Sequence, residues 1–571
     1  MEHVSELGSA QPTALVTAEE KNLAARLDGD HKHTAQLAAK ADDDAHKLTI
    51  RQALRRHSTA AAWSALLSTA LIMEGFDLIV ISSFFGQSQF LQRYGKPDGK
   101  GGYALSSAWQ TGLTNSAVCG EIIGLAINSW ASDRFGYRRT YMAAMAMMAA
   151  CIFATFFSPS LPILSLGEVL CGIPWGIFQT LTTAYASEIC PMALRPFLTT
   201  YVNMCWGVGI LLSSGVTRAT LDIHGKLAYK LPFALQWIWP VPLFVGAFLA
   251  PESPWWLVRK ARYDEAKHSI RRLTNADQRS EARINEELAL IRYTTALEEA
   301  ETAGATLLDC FRGTNRRRTE VACVVFAIQY LSGSPLISFA VLFLQKAGLS
   351  ETNSFNFNLG MNSMYVVGTI VSWFLMSRFG RRSLYLFGVV IMGLTCLVIG
   401  GLGVSSSKSA SLAIGAMMVV LNLSYNVSIG PVCYALVAEL SSSRLRAKTV
   451  VLARTSYNLT GLVTNTIQPR MIAADQWNWG AKSGFFWLGS CTVMFVYCYL
   501  RLPETRHRNT GELDVLFENR VSARKFASTA VDQFHVAPVA AAGSSPSAVA
   551  RASESASASD DDKLEAAGSE K

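Results

Sequence analysis

Apolar residues along this chain gather into runs of about 17 to 25 residues, the length an α-helix needs to cross a bilayer. The first group of runs covers Ala62 to Phe85, Leu105 to Trp130, Thr140 to Phe157, Leu161 to Ala184, Phe197 to Val216 and Phe233 to Ala250. A polar stretch follows, and then a second group: Val321 to Leu344, Phe357 to Met376, Leu384 to Gly403, Leu412 to Val437, Val450 to Ile472 and Phe485 to Leu500. Charged or Pro/Gly-rich loops separate most of them. The pattern predicts an all-α membrane protein with twelve transmembrane helices in two groups of six.

Composition agrees with that reading. Half of the 571 residues are hydrophobic, only 16% are charged and the mean hydropathy is +0.23, too apolar for a soluble enzyme of this size. The net charge of +8 would fit a nucleic-acid partner if it were clustered, but the basic residues sit in short loops. Arg134, Arg138 and Arg139 follow span 2, and Arg195 follows span 4; Arg378, Arg381 and Arg382 follow span 8, and Arg444, Arg446 and Lys448 follow span 10. All these loops share one side if every run crosses, and the positive-inside rule makes that side, and both termini, cytoplasmic. No nucleic-acid partner is expected.

The first sixty residues lack the basic start, short apolar core and cleavage site of a secretory signal. The eleven cysteines fall in spans or predicted cytoplasmic loops, so they read as packing residues and not as a disulfide framework. Asn-x-Ser/Thr matches at Asn422, Asn426 and Asn458 lie inside spans, beyond the reach of glycosylation.

Asp77 and, one helical turn before it, Glu74 stand inside the first run. A carboxylate at membrane depth costs a few kcal/mol on insertion scales, so it normally faces a partner or an aqueous cavity and marks a functional site. The chain also repeats itself. Asp133-Arg-Phe-Gly-Tyr-Arg-Arg139 returns as Ser377-Arg-Phe-Gly-Arg-Arg382, Glu188 with Arg195 as Glu439 with Arg446, and Pro251-Glu-Ser as Pro503-Glu-Thr, each about 250 residues later. Two parallel repeats of six helices are implied, with a site between them near the midplane.

The layout read from these signals is a disordered cytoplasmic tail over 1–60, a six-helix bundle over 61–251 and a helical cytoplasmic linker over 252–320. A second bundle over 321–501, a cytoplasmic motif segment over 502–526 and a disordered Ala/Ser-rich tail over 527–571 complete it. The linker reads either as a solvated charged spacer or as a brace between the halves.

From Trp63 to Phe526 the chain resembles the sugar-porter branch of the major facilitator superfamily. Gly75-Phe-Asp77, the Asp133 to Arg139 loop, Pro251-Glu-Ser-Pro254, Gln329 with Leu331-Ser-Gly333, Gly430-Pro431 and Pro503-Glu-Thr505 carry the resemblance through their order and spacing. Gly172-Ile-Pro-Trp-Gly-Ile-Phe-Gln-Thr180, Gly430-Pro-Val-Cys-Tyr434, Ser443 to Arg454 and Val521-Ser-Ala-Arg-Lys-Phe526 look more specifically like fungal α-glucoside (maltose-type) permeases. The resemblance implies a proton symporter of the plasma membrane that takes α-glucosides and works as a monomer. Tyr330 and Pro335 depart from the pattern of hexose carriers in span 7, Ser377 replaces an acid in the second loop motif, and Glu168 replaces a common Arg in span 4.

A proton-coupled carrier needs a carboxyl whose affinity for protons changes with its surroundings. Asp77 is the first candidate and Glu74 the second, with Glu121 of span 2 and Arg454 of span 11 expected to meet across the halves. Sugar recognition needs amides, hydroxyl partners and aromatic faces. By family position, Asn203, Gln329, Tyr434 and Asn458 suit those roles, with Gln179 and Tyr365 as further candidates. Asp133, with Arg134 and Arg138, is expected to latch a cytoplasmic gate onto the start of span 11. Glu188 with Arg195 and Glu439 with Arg446 would form gate ion pairs.

The phosphate-binding P-loop pattern is missing from the sequence, as are a His/Cys metal cluster and a hydrolytic triad. No enzyme activity, cofactor or metal is expected. The leading reading is proton-coupled uptake of an α-glucoside by alternating access; a proton-independent facilitator and a nutrient receptor on the same fold are the alternatives.

Overall fold

The computed structural model describes residues 34–529, apart from 35, 39, 42–43, 45–47, 98–101, 192–193, 303–306, 406, 443–444, 474–475, 507 and 509. The tail beyond 529 and the first 33 residues lie outside the described residues. Spans 1 to 6 are Ser58–Phe84, Ser107–Phe135, Tyr137–Phe156, Leu161–Ile189, Arg195–Ala219 and Leu227–Leu249. Span 7 is built from Asn315–Leu331, Ser334–Ser338 and Ala340–Lys346. Spans 8 and 9 are Glu351–Arg378 and Arg381–Leu402. Span 10 joins Lys408–Val427 to Ile429–Leu440, and spans 11 and 12 are Arg446–Ile472 and Ser483–Arg501. Among the described residues the one strand pairing is a short antiparallel ladder, Lys96–Pro97 with Tyr103–Ala104.

Among the described residues, eight spans are long and apolar enough to cross a membrane by length and composition alone. The other four, spans 2, 5, 7 and 11, carry the polar side chains that face the interior described below. Two spans are broken where the sequence asks for it. In span 7, Gly333 takes φ +93°, a left-handed conformation that side chains resist, and the freed carbonyl of Gln329 accepts from Ser332 and Ser334. In span 10 the break falls at Ser428, just before Gly430-Pro431, whose proline supplies no amide donor.

Spans 2 and 4 approach backbone to backbone. A Cβ at Gly176 would lie 2.2 Å from the Glu121 carbonyl, and one at Gly124 would lie 2.1 Å from that of Ile173. Small residues at this crossing bring Glu121 and Gln179 next to each other.

The two Pro-Glu repeats do the same job in each bundle. Glu252 accepts from the backbone amides of Tyr137 (3.0 Å) and Arg138 (3.2 Å) at the start of span 3, and Glu504 accepts from the amide of Arg381 (2.8 Å) at the start of span 9. A carboxylate at a helix N-terminus satisfies orphan donors and complements the dipole.

Two expectations change. Within the stretch read as a disordered tail, Ile50–Arg56 forms a helix and span 1 already starts at Ser58: Thr49 and Gln52 form a capping box, and Ala53 packs with Ala61 and Leu194. The linker is not simply a solvated spacer, and near its end Cys310 is buried against Thr319 and Thr449 of the second half. Ile270, Leu273, Ile284 and Ile291 join the same buried cluster as Trp175, Tyr185 and Leu257, so the linker extends the core of the first half. Asn275 fastens it to span 1, its side chain donating to the Arg55 carbonyl at 2.6 Å and accepting from Ser58 (2.8 Å) and Thr59 (2.9 Å).

Candidate functional site

Between the two halves lies a cavity of about 1160 Å³, counting open solvent at its mouth, with walls from spans 1, 2 and 5 on one side and 7, 8, 10 and 11 on the other. Its chemistry is unusual for a membrane interior. Glu74 and Glu121 face Arg454 across it, Asn203, Gln329 and Asn362 supply amides, and Trp206, Tyr365, Tyr434 and Tyr457 supply aromatic faces.

One chain of side chains joins the halves. The Gln179 amide nitrogen donates to Glu74 Oε1 at 2.7 Å, and its oxygen accepts from Arg454 Nε at 2.9 Å. Arg454 Nη1 donates in turn to the Tyr434 hydroxyl at 3.3 Å, and the guanidinium lies against the rings of Tyr457 (4.4 Å) and Trp206 (5.3 Å). Aromatic faces and an amide oxygen thus hold a cation that the bilayer interior would otherwise penalise.

Glu121 and Arg454 meet at the cavity across the halves as expected, but without an ion pair, and Gln179 stands beside both. The close crossing of spans 2 and 4 places Gln179 there.

The candidate sugar ligands divide. Asn203, Gln329, Tyr434 and Tyr365 line the cavity. The Tyr365 hydroxyl donates to Asn203 Oδ1 at 3.2 Å, and Gln329 accepts from Tyr425 at 2.8 Å. Gln179 is a bridging residue, not a wall residue. Asn458 does not line the cavity; its amide is buried on another face of span 11 without a protein partner. A one-residue difference on a helix rotates a side chain by about 100°, and Tyr457 holds the cavity position instead.

Asp77 is buried behind Glu74, outside the cavity lining, where Oδ1 accepts from Gln236 of the segment between Leu227–Leu235 and Pro240–Leu249. Its other neighbour is Glu168 of span 4. Glu74 Oε2, Asn203 Nδ2 and Asn362 Oδ1 are buried polar atoms of the cavity wall with no protein partner.

The halves are tied together on the face away from the Arg-rich loops. Ser88, through its amide at 2.9 Å and its hydroxyl, bonds Glu351; Gln345 donates to the Gly86 carbonyl at 2.7 Å; Arg218 donates to Asn356 at 2.7 Å. Asn115 reaches Thr466 at 3.0 Å and Asn362 reaches Ser214 at 2.7 Å. At the opposite face the expected latch is not seen among the described residues, which leave out part of the start of span 11. Asp133 and Arg134 are exposed, and the Asp133 carboxylate bonds nothing in span 11 among the described residues. Arg138 stays within the first half, its amide on Glu252 and its guanidinium 5.1 Å from the Phe248 ring.

Glu188 bonds Arg259 (2.7 Å), Tyr137 (2.9 Å) and Ser253, and Glu439 pairs with Arg381 at 3.2 Å. The side chains of Arg195 and Arg446 lie outside the described residues. Among the described residues, both acids therefore pair within their own half.

A family model described as sugar (and other) transporter matches residues 63–517. The chain belongs to this sugar transporter family. A maltose permease of Saccharomyces cerevisiae is 42% identical over 512 residues, covering 89% of this chain and 83% of the relative. The general alpha-glucoside permease of the same yeast is 40% identical over 502 residues, covering 87% and 81%. Among solved structures, the major facilitator superfamily proton:xylose symporter XylE bound to 6-bromo-6-deoxy-D-glucose superposes with a TM-score of 0.66 at 18% identity, covering 81% of this chain and 99% of the other. The protein is therefore a multi-pass membrane transporter with the major facilitator fold, and not an enzyme.

Tyr457, Trp206, Asn362 and Asn422 were missed by the sequence reading although they line the cavity. For Asn422 the signal was present: an amide inside a span needs a partner, and it finds the Met361 carbonyl at 2.6 Å. The aromatic residues carry no such signal, since a Tyr or Trp on a membrane helix also packs in ordinary ways.

Proposed function

We propose that this protein imports α-glucosides such as maltose-type disaccharides together with protons, by alternating access, across the plasma membrane, with both termini cytoplasmic. The observation that carries the reading is the Glu74–Gln179–Arg454–Tyr434 chain, which spans the two halves at the wall of the cavity. The 40–42% identity to yeast maltose and alpha-glucoside permeases supports the substrate class.

With the Arg-rich loops cytoplasmic, the bonded face is extracellular and the form described is inward-facing. Sugar hydroxyls engage Asn203, Gln329 and Asn362 while rings lie against Tyr365, Tyr434 and Trp206. Protonation of Glu74 weakens its hold, through Gln179, on Arg454, and so links proton binding to the separation of the halves. Asp77, one turn on, belongs to the same coupling region. Asp133, Arg134, Arg138, Arg195 and Arg446 engage as a gate only when the Arg-rich face closes.

Sugar-driven alkalinisation of the medium around expressing cells, with radiolabelled maltose uptake, is the test. Uptake with proton entry supports the reading. Uptake without proton entry makes the protein a facilitator, and binding without uptake makes it a receptor.

A further inference from the structure

Glu168 is an acid deep in the first half that the proposed mechanism leaves unused. It stands on span 4, is only 1% exposed, and meets the carboxyl of Asp77. Among the described residues no cationic side chain acts on either acid; Gln236 donates to one oxygen of Asp77, and the Cys171 thiol is the other titratable neighbour. Asp77 Oδ2 and both oxygens of Glu168 have no donor.

Two touching acceptors with no donor between them are not a stable dry arrangement. A single proton supplies the missing donor and turns the repulsion into a hydrogen bond. Gln236 leaves one face of Asp77 fixed, so the proton's place is the Oδ2 side, toward Glu168.

We propose that Glu168 is the positioning residue for the coupling proton: it shares one proton with Asp77 and thereby sets the pH at which Asp77 loads and unloads. Loading adds one proton between the two carboxyls. Release returns that proton to water, and it requires water to reach the pair, because two bare carboxylates need solvation. The dry, loaded pair and the wetted, unloaded pair are then the two states that alternation of the halves selects. This inference rests on the proton-coupled reading given above.

Glu168→Gln puts an amide donor where the shared proton sits and leaves Asp77 ionised. The expected result is at least a tenfold loss of sugar accumulation, with the alkaline limb of the uptake profile moved to lower pH, while sugar counterflow across equilibrated vesicles is retained. Glu168→Asp restores accumulation in part. Wild-type accumulation and an unchanged pH profile in Glu168→Gln overturn the proposal.

A second measurement does not depend on that variant. Infrared spectra of purified wild type should contain a protonated carboxyl band that Asp77→Asn removes, since its amide becomes the donor to Glu168; a band of undiminished intensity also overturns the proposal. Sugar-driven proton entry is measured first in wild type. Its absence there refutes proton coupling itself, whereas coupled wild type with an unaltered Glu168→Gln refutes only the shared proton.

Discussion

Gln179 decides how the cavity acids and Arg454 communicate, because one amide can accept from a guanidinium and donate to a carboxylate at once. Gln179→Leu leaves both charged partners without that bridge. Uptake should fall at least tenfold, read by radiolabelled sugar entry at matched surface abundance, and wild-type transport in this variant would refute the relay. Replacing Glu74 and Asp77 together by Gln and Asn should abolish accumulation while leaving counterflow; accumulation that survives contradicts a coupling role for either.

Outside the spans, His57 titrates in a useful range. Burial, with Arg56 beside it, lowers its pKa from 6.5 to about 4. The folded state favours the neutral ring, so its contribution is complete above pH 6.5 and is lost as the pH falls toward 4, by about 3 kcal/mol at most. His57→Gln should flatten thermal stability between those pH values, measured in detergent. An unchanged acid sensitivity would mean that other groups dominate it.

At the scale of elements, the crossing of spans 2 and 4 is an exacting contact, since the glycines there meet carbonyls and not flexible side chains. Gly176→Val pushes a side chain into the Glu121 carbonyl. Overpacking of this kind costs about 1–3 kcal/mol, and here it also displaces Glu121 and Gln179. Both the melting temperature and uptake should drop; a variant with normal values would show that the crossing can yield. The twelve spans were legible beforehand because apolar length is a local property, whereas the Pro-Glu segments were legible only as a repeat, since each carboxylate caps a helix in a distant part of the chain. The helical approach to span 1 and the packed linker were not, because their apolar residues find partners only in distant segments such as Leu194 and Trp175.

For the whole molecule, the contacts tying the halves together lie on one face, led by Ser88 with Glu351. A double variant, Ser88→Cys with Glu351→Cys, should form an oxidisable bridge that blocks transport and is relieved by reductant. Transport at full rate in the cross-linked form would exclude opening at that face.

The run lengths, the Arg-rich loops and the repeat determined by themselves that this chain is a two-fold helical membrane bundle with acids in its first span. Those features follow from the energetics of single segments against lipid and water. Which acid reaches the cavity, that Gln179 stands beside Glu121 and Arg454, and that Tyr457 faces inward where Asn458 does not, were decided only by the tertiary structure. Each depends on helix rotation and interhelical distance, set by how glycines let spans 2 and 4 touch and by which side chains from the other half fill the space opposite.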